Sequence, residues 1–138
     1  MNDTTPSRPL LLSIDDEADM REIVMTVADH CGFRTCGADA PMAIKEALDR
    51  EPVAIVLDLI MPGMDGIEVI WELARRKSQA FLIILSGFDP RIINAAKTIA
   101  AKTQLKLVAC LNKPVELDQL REHFSAIMMA YEKARVVA

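Results

Sequence analysis

A chain of 138 residues, half of them apolar, is long enough for one core and little more. Its formal charge is −4 and it has no dense basic run, which argues against nucleic acid as a direct partner, because neutralising phosphates takes clustered Lys and Arg. No stretch reaches bilayer length, and the polar Met1–Pro9 lacks a signal-peptide pattern; no membrane association is expected. Cys31, Cys36 and Cys110 are odd in number and lack metal-like spacing. They read as small buried apolar residues in a reducing compartment, so a cytoplasmic protein is expected.

Residues 1–8 read as a flexible tail, residues 9–135 as one domain and residues 136–138 as a frayed end. Leu10–Ile14 is the first apolar run. Met20, Ile23, Val24 and Val27 then recur at helical spacing up to a stop at Cys31-Gly32. The second run is Phe33–Ala38, followed by a helix carrying Ala43, Ile44, Ala47 and Leu48 inward. Val53–Leu57 is the third run. Asp65 caps the helix behind it, whose inner face is Val69, Ile70 and Leu73. The triplet Arg75-Arg76-Lys77 reads as the solvated end of that helix. Phe81–Leu85 comes fourth, and Asp89-Pro90 starts the next helix, Asp as cap and Pro at the first helical position. Leu107–Leu111 is the fifth run, and Leu117, Leu120, Phe124, Ile127, Met128 and Tyr131 form the stripe of the last helix. Runs without polar alternation suit strands covered by helices on both faces. Right-handed crossovers then predict an α/β fold, a doubly wound three-layer domain around a parallel sheet.

In such sheets ligands bind beyond the carboxyl ends of the strands. Four runs end there in groups suited to phosphate chemistry: Leu10–Ile14 in Asp15-Asp16, Val53–Leu57 in Asp58, Phe81–Leu85 in Ser86, and Leu107–Leu111 in Asn112-Lys113. Taken singly, each is an ordinary helix cap, loop residue or surface charge. Together they gather three carboxylates. Two carboxylates about 4 Å apart repel by ~4 kcal/mol at an effective dielectric of 20, so a cation or a bound proton has to compensate. Magnesium binds through one or two carboxylates and accepts a phosphate oxygen. A carboxylate can also attack a phosphoryl group to give an acyl phosphate. Lys113 then balances the phosphoryl oxygens, Ser86 donates to one of them, and positioning with charge neutralisation supplies most of the catalysis.

Ile14-Asp15-Asp16-Glu17, the stretch Asp58-Leu59-Ile60-Met61-Pro62-Gly63-Met64-Asp65-Gly66, Leu85-Ser86-Gly87 and Asn112-Lys113-Pro114 resemble the receiver domain of bacterial two-component response regulators, over about residues 9 to 135. The resemblance implies a flavodoxin-like (βα)5 sheet in strand order 2-1-3-4-5. It implies that Asp58 is the phosphoacceptor, served by a histidine kinase or a histidine phosphotransfer protein, and that a downstream effector protein reads the result. It implies a magnesium ion held directly by Asp16, Asp58 and the backbone carbonyl of Ile60, with Asp15 acting through water, and a cis Lys113-Pro114 bond. No enzymatic turnover of another substrate is implied. A homodimer through the fourth or fifth helix stays open, since the apolar stripes on those helices are needed for the core anyway.

The chain departs from the family in places. Cys110 stands where members usually carry Tyr or Phe three residues before the lysine, so the usual coupling of hydroxyl to aromatic ring is not expected to operate unchanged. The stretch from Ser86 to Lys113 is longer than usual by about one helical turn, so an extended fourth helix bearing Arg91, Lys97 and Lys102 is expected. Ile60 and Phe88, each two residues beyond a site residue, are apolar and would hinder an attacking water, so a long-lived acyl phosphate is expected. His30 and His123 have no metal-ligand partners in sequence. The entry Ser86-Gly87-Phe88-Asp89-Pro90-Arg91 resembles receivers joined to cyclic-di-GMP phosphodiesterase domains, which leaves a receiver excised from a larger regulator as the alternative. An aspartate-nucleophile phosphatase typically places a second aspartate two residues after the first, and position 60 is Ile. A flavodoxin-like mononucleotide binder fits poorly with Asp15-Asp16-Glu17, which would repel phosphate.

Overall fold

Apolar runs and amphipathic segments become strands and helices in alternation. The computed structural model describes residues 8–87 and 89–137; residues 1–7, Phe88 and Ala138 lie outside them. The elements are β1 (Leu10–Ile14), α1 (Ala18–His30), β2 (Arg34–Ala38), α2 (Pro41–Asp49), β3 (Ala54–Asp58), α3 (Gly66–Arg75), β4 (Phe81–Ser86), α4 (Pro90–Thr103), β5 (Lys106–Asn112) and α5 (Leu117–Val137). The five strands of the main sheet are parallel and lie in the order β2-β1-β3-β4-β5, as the resemblance implied. Two two-residue segments, Ile60–Met61 and Met64–Asp65, pair antiparallel in the loop between β3 and α3.

Strand periodicity splits the core in two, because successive side chains point to opposite faces. Ile55 and Leu57 of β3 join Ile44 and Leu48 of α2, Ile70 and Leu73 of α3 and Ala96 of α4. Ala54 and Val56 join Val24 and Ala28 of α1 and Leu120, Phe124 and Ile127 of α5. In that second cluster the Phe33 and Phe124 rings meet edge-on, with centroids 6.2 Å apart. β3 is buried along its whole length and sits between β1 and β4, which fixes Asp58 at the middle of the sheet's carboxyl edge.

The helix starts follow the capping signals. Asp65 Oδ1 accepts from the Ile67 amide at 2.9 Å, and Asp89 Oδ1 accepts from the Arg91 amide at 3.1 Å ahead of Pro90. α4 runs for 14 residues. Arg75 and Arg76 are not free at the end of α3. Both bind Glu72, at 2.6 and 2.8 Å, and Arg76 reaches Asp49 at 2.8 Å. The hydrogen bonds from Arg76 and Arg75 hold the Glu72 carboxyl down at about 2.

Some expected inward residues face out. Ile23 is 42 % and Leu117 49 % exposed, because α1 and α5 bury narrower stripes than their apolar spacing offers. The cysteines are half-buried rather than buried, and all three are free thiols. Of the expected tail, Arg8 is described. Its guanidinium donates to the carbonyls of Asp29, Gly32 and Phe33 at 2.8, 2.9 and 2.6 Å. At the other end α5 runs to Val137, and Ala138 of the segment expected to fray lies outside the described residues.

Candidate functional site

The carboxyl edge of the sheet gathers the residues that end β1, β3, β4 and β5. Pairing of β1 with β3 and of β3 with β4 puts the loop after Ile14 on one side of Asp58 and Leu85-Ser86 on the other. Asp58 is 2 % exposed although it is charged. Such a group needs a partner, and it has two: the Ile60 amide donates to Oδ1 at 3.1 Å, and Lys113 Nζ donates to Oδ2 at 2.9 Å.

Lys113 is the hub. Its ammonium also lies 3.6 Å from Asp15 Oδ2 and 3.8 Å from Glu17 Oε1. Its backbone amide donates to the Ser86 carbonyl at 2.8 Å, which pins the end of β5 to the end of β4. The Lys113-Pro114 peptide is cis, as the resemblance implied. Burial works against the Lys113 charge, but the hydrogen bond to Asp58 and the charges of Asp15, Asp58 and Glu17 outweigh it and hold the ammonium above its ordinary range.

Asp15 is as deeply buried as Asp58. Its Oδ1 accepts from the Glu17 amide at 2.9 Å, while Oδ2 is buried without a hydrogen-bond partner among the described residues. Burial is the main reason its carboxyl is pushed up to about 6; the Asp58 charge adds to this, and the Glu17 amide and Lys113 offset part of it. Carboxylate oxygens of Asp15, Asp16 and Glu17 lie within 4.8 Å of one another. This all-oxygen donor set, with one oxygen buried and free of hydrogen bonds among the described residues, fits a hard divalent cation.

Ser86 ends β4, and its buried Oγ has no partner among the described residues. Ile60 adjoins the site through its amide, and its side chain is half exposed. Phe88 lies outside the described residues. The structure thus brings Asp15, Asp58 and Lys113 into one ion-paired group, with Asp16 at its rim and Ser86 at the end of the adjoining strand. Spacing alone gave no role to Glu17, which is both a cluster member and a Lys113 neighbour. Its place directly after the paired aspartates was the available signal. Cys110 is half-buried on β5, and burial pushes its thiol up, with Lys97 offsetting part of the effect. A thiol in that state is a poor nucleophile.

The pattern described as the response regulator receiver domain matches residues 11–125. The transcriptional regulatory protein FixJ of Bradyrhizobium diazoefficiens is 31% identical over 124 residues, which are 88% of this chain and 57% of FixJ. The response regulator receiver protein CpdR of Brucella abortus is 24% identical over 87% of this chain and 97% of its own length. The chain therefore spans little more than half of FixJ and nearly all of CpdR. Among solved structures, a response regulator from Colwellia psychrerythraea superimposes with a TM-score of 0.74 at 28% identity, covering 88% of this chain and 97% of the other.

Proposed function

This chain belongs to the receiver domain family of two-component response regulators, and we propose on that footing that Asp58 is its phosphoacceptor. The observation that carries the assignment is a buried aspartate at the end of the central strand, 2.9 Å from the Lys113 ammonium and beside a second buried aspartate, Asp15. The donor is a phosphohistidine of a histidine kinase or phosphotransfer protein. An oxygen of Asp58 attacks phosphorus, the P–N bond breaks as the P–O bond forms, and the leaving imidazole takes up a proton. The product is an acyl phosphate.

Each residue has a task in that step. The Ile60 amide holds Asp58 in place for attack, and Lys113 moves its charge from the carboxylate to the phosphoryl oxygens. The orphaned Ser86 hydroxyl donates to one of those oxygens, which gives its buried Oγ a partner. Asp15, Asp16, Asp58 and the Ile60 carbonyl would hold magnesium, Asp15 through water. When bound, the ion neutralises charge on the transferring group. The phosphorylated and unphosphorylated states then present different surfaces to an effector protein.

Incubation with magnesium and acetyl phosphate, read by intact mass, tests the assignment. One phosphoryl group should appear on the wild type and none on Asp58→Asn. No adduct on the wild type, or equal adducts on both proteins, would overturn it.

A further inference from the structure

The acidic loop after β1 is held by a side chain that the chemistry above does not use. Arg21, on the second turn of α1, donates from Nη1 to the backbone carbonyl of Asp15 at 2.8 Å. The Asp15 amide donates to the Ala38 carbonyl at 3.2 Å, and Asp15 Oδ1 accepts from the Glu17 amide. The peptide joining Asp15 to Asp16 is therefore fixed from outside, and its orientation decides where the Asp16 carboxylate points. Of the polar atoms of Asp15, Oδ2 is the one left without a hydrogen bond among the described residues.

β2 carries a matching feature. A Cβ placed on Gly37 would lie 2.8 Å from Arg21 Cδ, 3.0 Å from its Cγ and 3.1 Å from Met25 Sδ. The arginine stem therefore lies flat over a position where any larger residue would displace it. Gly37 pairs with Ser13 and Ala38 with Ile14, so the strand that admits the arginine stem also supplies the acceptor for the Asp15 amide.

We infer that Arg21 is a positioning residue for the divalent cation: seated on Gly37, it orients the Asp15–Asp16 peptide and thereby sets the affinity of the acidic loop for magnesium. The inference rests on the magnesium site proposed above. Arg21 has a second property with the opposite sign. Its positive charge near the cluster repels a cation, so a purely electrostatic role would make its removal tighten binding. Partners that orient ligands in this way typically change metal affinity about 10- to 100-fold, and positioning is expected to win.

Titration calorimetry of the metal-free full chain with magnesium chloride, together with thermal melts of each variant, tests this. Arg21→Ala should bind magnesium about tenfold more weakly. Gly37→Ala, which keeps the charge but lifts the stem, should also weaken binding in the wild-type background, yet have no further effect in Arg21→Ala. A residue serving only the fold would lower the melting temperature and leave magnesium affinity unchanged. Unchanged or tighter binding in Arg21→Ala, or an equal effect of Gly37→Ala with and without Arg21, overturns the inference. Absence of binding by the wild type would instead overturn the metal site itself.

Discussion

Asp15 is the residue whose protonation governs the loop. Its carboxyl is pushed from an ordinary 3.8 up to about 6, mainly by burial, and only the ionised form supports a bound cation well, directly or through water. The folded state holds this proton more tightly than the unfolded one, so the metal-free protein loses stability as pH rises from about 4 through about 6. A bound cation reverses that loss. Magnesium affinity should therefore be flat above about pH 7 and fall as the pH drops through about 6. Calorimetric titration across this range checks it, and an affinity that stays flat to lower pH would contradict it. Lys113 acts in the opposite sense. Lys113→Met leaves two buried carboxylates without their shared cation, which should destabilise the metal-free protein by about 2–3 kcal/mol, less than for a fully buried pair because the ammonium is partly exposed. Denaturant titration should show magnesium recovering more stability in this variant than in the wild type. The residues with a chemical reason to end a strand were legible in the sequence. Arg21 was not, because a side chain bonding to a backbone carbonyl leaves no composition signal, and Gly37 made sense only once β2 was seen beneath the arginine stem.

At the scale of elements, periodicity and caps gave the order of strands and helices, since buried parallel strands read as unbroken apolar runs. Periodicity overstated how much of α1 and α5 is buried. Leu117 fits the apolar spacing of α5 but is 49 % exposed, whereas Leu120 one turn later is fully buried. Leu120→Ala should cost about 2–5 kcal/mol and Leu117→Ala well under half of that, measured by chemical denaturation. A local irregularity was also invisible: the pairing of β4 with β5 slips by one residue between Leu82 and Ile83, leaving Val108 without a partner. The loop between β3 and α3 holds the strictest requirement. A Cβ on Gly66 would meet the Leu59 Cα and carbonyl oxygen at 2.6 Å, and this is backbone that cannot rotate aside. Gly66→Ala should destabilise the protein by about 1–3 kcal/mol and disturb the turn that follows Asp58. An unchanged denaturation midpoint would show that the loop can shift to make room.

For the whole molecule, the charge is concentrated at one place. The formal charge of the chain is −4. Asp15, Asp16, Glu17 and Asp58 bring four negative charges to the site and the Lys113 ammonium offsets one, which leaves three in excess over these five residues. With these five residues set aside, the rest of the protein is within one charge of neutral. A divalent cation taken up there removes about half of the net charge of the molecule in a single event, and a phosphoryl group puts charge back at the same spot. The protein should therefore migrate measurably more slowly toward the anode in free-solution electrophoresis once magnesium is bound. The acidic cluster that prepares Asp58 for chemistry thus also carries most of the molecule's net charge.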